Sequence, residues 1–248
     1  MKTTFYEIKC LTNMHVGSGD FNFSVVDNEV EKDPVTGNPI IHASGVKGAL
    51  RATVTNETLA KEIFGSRGSG DVCSAGTHKF LDALLLSRPM RLSGSSSRAF
   101  IPVTTVGTVN ALIRLLDAFG CNKHGLKPVG ALNFGSNKFL VSVNESVKVE
   151  GEATGKLDPV VVEALKPMLG DEFAIAASFE GFDLPVVARN CLDNGISVNL
   201  WYEEVVPHDS VFWFAVIAPE EDTLTVPEYV QFGGHSSIGC GFTRVTRL

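Results

Sequence analysis

The segment from Val25 to Arg51 constrains the fold of this chain most, because it demands a turn, a strand and a helix in quick succession. Residues 33–39 are rich in turn-forming residues, and Ile40–Ile41 predicts a short apolar strand. Ser44 is the predicted N-cap of a helix that starts near Gly45. The sequence therefore predicts a strand that leads through a small-residue turn into a helix.

This predicted helix carries two cations on one face. Lys47 and Arg51 lie four residues apart, and the amides at a helix start add partial positive charge. Together with the Ser44 hydroxyl, this combination suits a chain of phosphates. An ordinary helix with its charged face in water is the alternative, and spacing alone favours it.

The loop before the turn is crowded with five carboxylates, namely Asp20, Asp27, Glu29, Glu31 and Asp33. Like charges at such close spacing repel one another, which favours either full solvation or a bound cation. A solvated acidic loop is the simpler interpretation from the residues alone.

The composition is that of a globular protein with a sizeable core. The 248 residues, 44% of them apolar, suffice for one domain over residues 1–248 with insertions. No apolar run reaches the length of a membrane span, and the N-terminus alternates like a strand rather than a signal peptide. Five scattered cysteines without a CxxC pair argue against a disulfide framework. We expect a cytoplasmic protein without a membrane partner.

Charge is distributed unevenly along the chain. The net charge of −7 argues against RNA binding, since contacts to phosphates dominate such affinity. Residues 47–127, however, hold eleven Lys and Arg against five Asp and Glu, whereas residues 132–248 hold seven against seventeen. The basic segment can line an RNA groove while the acidic half faces solvent or another subunit. Folding can equally mix the two halves into a surface without pattern.

Strand-like and helix-like segments alternate along the chain, which favours an α+β fold. Thr3–Thr12 predicts a strand with Phe5, Ile8 and Leu11 facing inward. Asn194-Gly195 lies between two strand-like runs and predicts a β-hairpin. Helices are predicted near residues 56–65, 104–119 and 158–169, and further strands near 78–86, 138–148, 172–178, 210–218 and 238–245.

Four stretches together resemble the RAMP superfamily of CRISPR proteins, and within it the backbone subunit of the type III-B (Cmr) effector complex. The first is the acidic loop followed by TGNPII and GVKGALR. The other three follow in the family's order: residues 82–91, residues 199–207 with Asn-Leu-Trp-Tyr-Glu-Glu, and the glycine-rich residues 231–242. The chain departs from the family pattern at residues 42–48, where a proline and a glycine are missing.

The resemblance implies a fold and a set of partners. The fold is a ferredoxin-like (RRM-like) RAMP core with inserted loops and a thumb-like β-hairpin near residues 182–197. The implied partners are guide RNA (crRNA), target RNA, copies of the chain itself in a helical filament, and other subunits of the CRISPR complex.

The resemblance also implies a metal-dependent endoribonuclease that cuts target RNA at regular intervals. Asp27 resembles in its position the aspartate that the family uses for cutting, so it is the predicted catalytic residue and metal ligand. In the implied reaction, the ribose 2′-hydroxyl next to the scissile phosphate attacks that phosphate. A weakly bound Mg²⁺ or Mn²⁺ is the implied cofactor. His15 is a second catalytic candidate because its pKa suits proton transfer, although packing or contact with RNA is the simpler role.

The glycine-rich loop is the second predicted RNA contact. It offers close backbone approach at four glycines and hydroxyls at two serines, and the predicted RNA-binding residues there are Gly233, Gly234, Ser236, Ser237, Gly239 and Gly241. A plain mobile turn is the alternative.

Three other functions remain open from the sequence. The chain could be a scaffold that holds guide RNA and cuts nothing, or the equivalent subunit of a Csm complex. It could also be a ribonuclease that processes guide RNA, in which case His15 rather than Asp27 would be essential. Glu203 and Glu204 are expected to serve structure or subunit contacts rather than catalysis.

Overall fold

The computed structural model describes residues 1–17, 19, 26–67, 73–94 and 98–248. These residues form two compact units. The first unit comprises Met1–Leu84, Leu184–His208 and Phe212–Leu248, and the second comprises Leu85–Asp183 and Asp209–Val211. Whether residues 1–248 fold as one domain stays a prediction, because compactness alone does not decide whether each unit folds independently.

Helices and strands alternate along the described chain. The helices are α1 (Ala43–Thr53), α2 (Glu57–Phe64), α3 (Val106–Ala118) and α4 (Pro159–Leu169). The strands are β1 (Lys2–Cys10), β2 (Ile40–Ile41), β3 (Gly65–Arg67), β4 (Cys73–Ala75), β5 (Lys79–Phe80), β6 (Ala83–Ser93), β7 (Phe100–Thr105), β8 (Phe139–Val141), β9 (Lys148–Val149), β10 (Glu152–Lys156), β11 (Ala174–Ala176), β12 (Val186–Asp193), β13 (Ile196–Glu204), β14 (Val211–Ala218), β15 (Tyr229–Gln231) and β16 (Phe242–Arg247). A 3₁₀ helix spans Ser236–Ile238. The mixture agrees with the predicted α+β class, whereas a ferredoxin-like core stays a prediction.

The first unit is built on a sheet in which β15, β16, β1 and β14 are neighbours in that order. β16 runs antiparallel to both β15 and β1. Two aromatic pairs lie on its two faces, since successive residues of a strand point to opposite sides: the rings of Phe5 and Trp213 lie 6.0 Å apart, and Tyr6 stacks on Phe214. Along β16 buried and exposed residues alternate strictly from Phe242 to Thr246, so the outer face of this strand meets solvent.

The start of α1 corrects the predicted helix cap. The N-cap is His42, whose side chain makes no capping hydrogen bond. Asp82 instead accepts a hydrogen bond from the backbone N–H of Ala43 at 2.6 Å. Ser44 therefore lies exposed within the first turn. The prediction was wrong because this cap comes from 39 residues further along the chain, where no local pattern reveals it.

The helices predicted near residues 56–65 and 158–169 are confirmed, and both begin with a local side-chain cap. The side chain of Asn56 accepts hydrogen bonds from Thr58 and Leu59 at the start of α2, and Gly65 follows its end. Asp158 caps α4 through the N–H of Val160. In each case a side chain within three residues of the helix start supplies the bond.

Two predicted strand details were wrong. Leu11 lies beyond the end of β1 and is 45% exposed, whereas Phe5 and Ile8 are buried as predicted. The closing strand begins at Phe242 rather than Ile238, because Ile238 belongs to the 3₁₀ helix. In both cases the apolar residue continues a pattern past the point where the strand pairing stops.

The hairpin predicted from Asn194-Gly195 is confirmed. β12 and β13 pair antiparallel over their whole length, and φ is 49° at Asn194 and 83° at Gly195. Two successive positive φ angles fit the tight turn that Asn-Gly favours. The observed hairpin ends at Glu204, beyond the predicted thumb range of residues 182–197. Its role as a thumb stays a prediction.

The second unit has strands with both faces buried. β11 pairs parallel with β7 and antiparallel with β8, and β8 pairs parallel with β10. One apolar cluster joins Phe139 to Val103, and another joins Leu140 to Ile113 of α3 and Leu165 of α4. Successive residues of β8 thus pack into different clusters on opposite faces.

The length and apolar character of the helices bear on whether the chain crosses a membrane. Among the residues that the structure describes, none of the helices has the length and apolar character needed to cross a bilayer.

Candidate nucleic-acid interface

Four segments of the first unit converge at one place. They are the first-strand loop (Leu11–Gly17), the acidic segment (Val26–Asp33), the end of β13 with the residues after it (Tyr202–Val206), and the glycine-rich loop (Phe232–Gly241). Backbone hydrogen bonds join them: Met14 N–H to Val206 O at 2.9 Å, Asp27 N–H to Tyr202 O at 3.0 Å, and Gly234 N–H to His15 O at 2.9 Å. The predicted catalytic residues and the predicted glycine-rich contact therefore lie in one site.

Asp27 is exposed but held in place. Its backbone N–H donates to the carbonyl of Tyr202, and its Oδ2 accepts the backbone N–H of the same residue at 2.8 Å. These two hydrogen bonds to Tyr202 fix the direction of the carboxylate without burying it. Asp27 therefore presents an anchored carboxylate to solvent at the edge of the site.

The other carboxylates of the acidic loop have different surroundings. Asp33 accepts three hydrogen bonds through Oδ1, from Val35 N–H and from the N–H and hydroxyl of Thr36. Burial would raise the pKa of Asp33, but the bonds from Thr36 and Val35 outweigh it and hold that pKa below its usual value. Glu31 lies 3.2 Å from His42. Asp20 lies outside the described residues. The five residues thus do not act as one cluster in the part of the loop that is described.

Glu203 is a buried carboxylate that ties three segments together. It is 1% exposed and pairs with Arg189 on the opposite strand of the hairpin. Its Oε1 accepts from Trp201 Nε1 at 2.8 Å and from Asn28 Nδ2 at 3.4 Å, and lies 3.3 Å from His235 Nε2. One side chain therefore joins the hairpin base, the acidic segment and the glycine-rich loop.

The electrostatics of Glu203 follow from these contacts. Burial raises its pKa, but hydrogen bonds from Trp201 and Arg189 and the charges of His235 and Arg189 lower it further than burial raises it. The pKa of Glu203 therefore lies below its usual value, and the side chain is ionised at neutral pH. The same bonds leave the Arg189 guanidinium paired, with its Nη2 also 3.5 Å from the sulfur of Cys240.

Glu204 attaches the acidic segment to β13. Its Oε2 accepts the N–H of Val30 at 3.1 Å, and its carboxylate lies 3.0 Å from Lys32 Nζ. Its backbone carbonyl lies 2.8 Å from Nδ1 of His15. Because a carbonyl only accepts hydrogen bonds, Nδ1 carries the proton, and Nε2 is an acceptor when the ring is neutral.

His15 is buried at the centre of the site rather than exposed beside Asp27. It is 7% exposed, and its ring lies 5.3 Å from that of His235. His15 and Asp27 contact neighbouring residues of β13, Glu204 and Tyr202. The structure thus brings the two predicted catalytic residues to the same strand end.

The glycine-rich loop packs backbone against backbone. A Cβ at Gly233 would collide with the carbonyl of His15, and one at Gly241 with the carbonyl of Phe232. The N–H groups of Gly234, Gly239 and Gly241 donate to His15, Ser236 and Asn13. These three amides are therefore engaged within the chain. Contact of this loop with RNA stays a prediction that rests on close approach and on the exposed Ser236 and Ser237.

Helix α1 presents the predicted phosphate contacts beside this loop. It packs against β15, which leads directly into the glycine-rich loop. Val46 and Leu50 are buried, whereas Ser44 is exposed and Lys47 and Arg51 are half-buried. Arg51 reaches Glu57 at 3.5 Å, a weak exposed pair that leaves its charge available.

The described residues around Asp27 offer few ligands for a metal ion. In the described residues, His, Cys, Asp and Glu side chains form no group of three or more that could hold a metal ion. Asp27 offers one carboxylate, of which one oxygen already accepts a backbone bond. An ion there would need most of its ligands from water and RNA phosphates, as Mg²⁺ commonly does.

Sequence reasoning missed the residues that build the site. Arg189, Trp201 and His235 were not singled out, although a Trp-Tyr-Glu-Glu run with polar residues at inward strand positions signals a buried polar cluster. Asp82, the cap of α1, left no sequence signal, because neither its neighbours nor its spacing marks it as a helix cap.

The chain belongs to the RAMP superfamily, whose family model matches residues 7–244. Among characterised relatives it is similar to the CRISPR system Cmr endoribonuclease Cmr4 of Pyrococcus furiosus. The two are 24% identical, over 99% of this chain and 96% of the relative.

Solved structures share the fold. One is a chain of type III-B Cmr-beta bound to cognate target RNA, with a TM-score of 0.77 and 20% identity, covering 100% of this chain and 97% of that one. Another is oligomeric Cmr4 from Pyrococcus furiosus, with a TM-score of 0.70 and 20% identity, covering 100% and 98%.

Proposed function

We propose that this chain is a backbone subunit of a type III-B CRISPR effector complex. It binds guide RNA, assembles with copies of itself along that RNA in the cytoplasm, and cuts the paired target RNA at regular intervals. RAMP membership and the similarity to an endoribonuclease and to a chain bound to target RNA support this function. The proposal includes a ferredoxin-like core in the first unit and a thumb role for the β12–β13 hairpin.

Asp27 carries the proposal. An exposed carboxylate is ordinarily free to rotate, yet Asp27 is bonded to Tyr202 through both its backbone and its side chain. Holding a charged group in one direction in water has an entropic cost that an ordinary surface residue need not bear. A fixed, solvent-facing carboxylate suits reaction with a bound substrate.

The proposed reaction uses the RNA's own ribose. The 2′-hydroxyl gives up its proton and attacks the adjacent phosphorus, the 5′-oxygen leaves and takes a proton from water, and the products are a cyclic phosphate and a 5′-hydroxyl. Asp27 either accepts the hydroxyl proton or helps to hold a divalent cation. Bound Mg²⁺ or Mn²⁺ would neutralise charge on the phosphate. His15, with Nδ1 bonded to the Glu204 carbonyl, offers Nε2 as a second proton acceptor.

Binding of guide RNA is assigned to the surface beside this site. Lys47 and Arg51 supply charge for phosphates, and Ser44, Ser236 and Ser237 supply hydroxyls. Because these are contacts to backbone rather than to base edges, the guide would supply the sequence specificity by pairing.

The test is cleavage of labelled target RNA by the assembled complex with Mg²⁺ or Mn²⁺. We compare the wild type with Asp27→Asn and with Asp171→Asn, a matched change at an exposed aspartate of the second unit that pairs with Lys166. We expect Asp27→Asn to slow cutting about 100-fold or more, and EDTA to abolish it, while guide binding persists. Asp171→Asn should cut like the wild type.

Other outcomes distinguish the alternatives. A wild-type complex that binds guide and target but never cuts is a scaffold. Loss of guide maturation in His15→Ala, with normal maturation and cutting in Asp27→Asn, would instead identify a guide-processing ribonuclease.

A further inference from the structure

The outer face of β15, β16 and β1 has an unusual mixture of side chains. The register places Tyr229, Arg244 and Lys9 in one row across the three strands. Gln231 and Phe242 form the next row, and Leu11 adjoins it through a bond from its N–H to the Phe242 carbonyl. Because side chains alternate along a strand, both rows face the same way.

Both aromatic rings in these two rows are open to solvent. Tyr229 is 54% exposed and Phe242 is 47% exposed, whereas their strand neighbours Val230 and Thr243 are buried. Tyr229 and Phe242 lie on adjacent strands one row apart, so their Cα atoms are about 7–8 Å from each other. Two flat apolar surfaces are thus held side by side on a rigid sheet.

A cation is placed against one of these rings. The Arg244 guanidinium lies 5.6 Å from the centre of the Tyr229 ring, and its Nη2 donates to the tyrosine hydroxyl at 3.1 Å. Glu228 lies 3.3 Å from Arg244 Nε and limits its rotation further. The cation is therefore oriented before any partner binds.

The face is continuous with the candidate nucleic-acid interface. The glycine-rich loop connects β15 directly to β16, and the first-strand loop follows β1 directly. Gln231 links the two regions, since its Nε2 donates to the carbonyl of Gly233 at 3.0 Å. A strand of RNA that leaves the site along this loop would meet Phe242 and Tyr229.

We propose that this face is a stacking platform for unpaired RNA bases, with Phe242 and Tyr229 as the rings and Arg244 and Lys9 as cations beside the phosphates. Mixed aromatic and cationic side chains on an open sheet favour single-stranded nucleic acid over an apolar protein partner, because every base has a flat face to stack. Acidic Glu228 and Glu7 offset part of the local charge, so stacking rather than charge carries the binding. The platform extends the RNA surface of the proposed function and rests on it.

The test measures binding of labelled oligouridine to the full-length chain by fluorescence anisotropy, without guide RNA. We expect Phe242→Ala to weaken binding about tenfold and Tyr229→Ala by a similar factor. Tyr229→Phe, which keeps the ring, should bind nearly as tightly as the wild type. Phe100→Ala is the matched control, since Phe100 is an exposed strand phenylalanine of the second unit, and it should bind normally.

A second probe separates stacking from charge. Blunt duplex RNA offers no unpaired base, so Phe242→Ala should bind it as the wild type does. Circular dichroism and sizing by light scattering accompany each variant. If Phe242→Ala binds oligouridine normally, or if its main effect is on the number of associated copies, the platform proposal is wrong.

The two proposals fail in different ways. A wild-type chain that binds oligouridine through Phe242 but yields a complex that never cuts refutes the nuclease function and leaves the platform standing. A complex that cuts through Asp27 with a chain that does not bind oligouridine refutes the platform alone.

Discussion

The two halves of the β12–β13 hairpin contrast in how their side chains are satisfied. In the base half, Glu203 is buried and bonded to Arg189 and Trp201. In the tip half, Ile196 is 70% exposed and Val198 60% exposed, with Leu192 and Leu200 also open. One pair of strands thus has polar groups inside and apolar groups outside, the reverse of ordinary patterning.

This difference teaches which half serves structure and which awaits a partner. The base is anchored to the acidic segment through Asn28 and to the glycine-rich loop through His235, so it fixes the geometry of the site. The strands pair with each other up to the tip, where the apolar side chains are open to solvent. A thumb that inserts between nucleotides, as proposed, would use such exposed apolar groups.

The largest effect is expected from breaking the base. Glu203→Gln removes the counter-charge of Arg189, whose side chain is mostly buried, so the free energy of unfolding should fall by about 2–4 kcal/mol. Urea unfolding measures it. Glu220→Gln is the control, because Glu220 pairs with the N-terminal amine on the surface and its loss should leave stability unchanged. Equal stability of the two variants would contradict the role given to Glu203.

The pH dependence of the stability difference between wild type and Glu203→Gln tests whether the charge of Glu203 stabilises the hairpin base. The folded pKa of Glu203 lies below its usual value, so its stabilisation is complete above the unfolded pKa of about 4.3 and is lost as pH falls through the folded pKa. The charged neighbours are Arg189 and His235, with Cys240 beside Arg189. Urea unfolding of wild type and Glu203→Gln should show the full difference in stability at neutral pH, and the difference should shrink as the pH falls through the folded pKa of Glu203. A difference that does not change as the pH falls to where the protein unfolds would contradict a role for the charge of Glu203.

The smallest effect on folding is expected at the tip. Val198→Ser should change the free energy of unfolding by less than about 0.5 kcal/mol, because the side chain already meets water. Val205→Ser, the same change at a buried residue beside the base, should lower the free energy of unfolding by about 2 kcal/mol or more.

Cutting of target RNA by the assembled complex is a second measurement on the hairpin tip. Val198→Ser combined with Ile196→Ser should slow it if the tip inserts between nucleotides, whereas normal cutting would exclude a thumb at this hairpin.

The sequence predicted those features whose cause is local. Asn194-Gly195 forms the expected turn, and Asn56 and Asp158 cap helices from within three residues. Periodicity and turn chemistry act over a few residues, and a pattern over that range reports them directly. The family resemblance added Asp27 and His15, which the structure brings to one strand end.

The bonds that assemble the site could not be predicted in this way. Asn28 and Glu203 are 175 residues apart in the chain, and His15 and Glu204 are 189 apart. No spacing rule connects such residues, since their meeting depends on the whole sheet. For the same reason the bonds from the amides of Gly234 and Gly241 to His15 and Asn13 could not be predicted.

The cap of α1 has a consequence for the order of events during synthesis. An isolated helix of this length is marginal in water, and the carboxylate that satisfies its first amide belongs to Asp82. The ribosome adds about 5–20 residues per second, so roughly 2–8 s separate the emergence of Ala43 from that of Asp82. We expect the helix that bears Lys47 and Arg51 to take its final form only after that interval, when Asp82 can accept the hydrogen bond from Ala43.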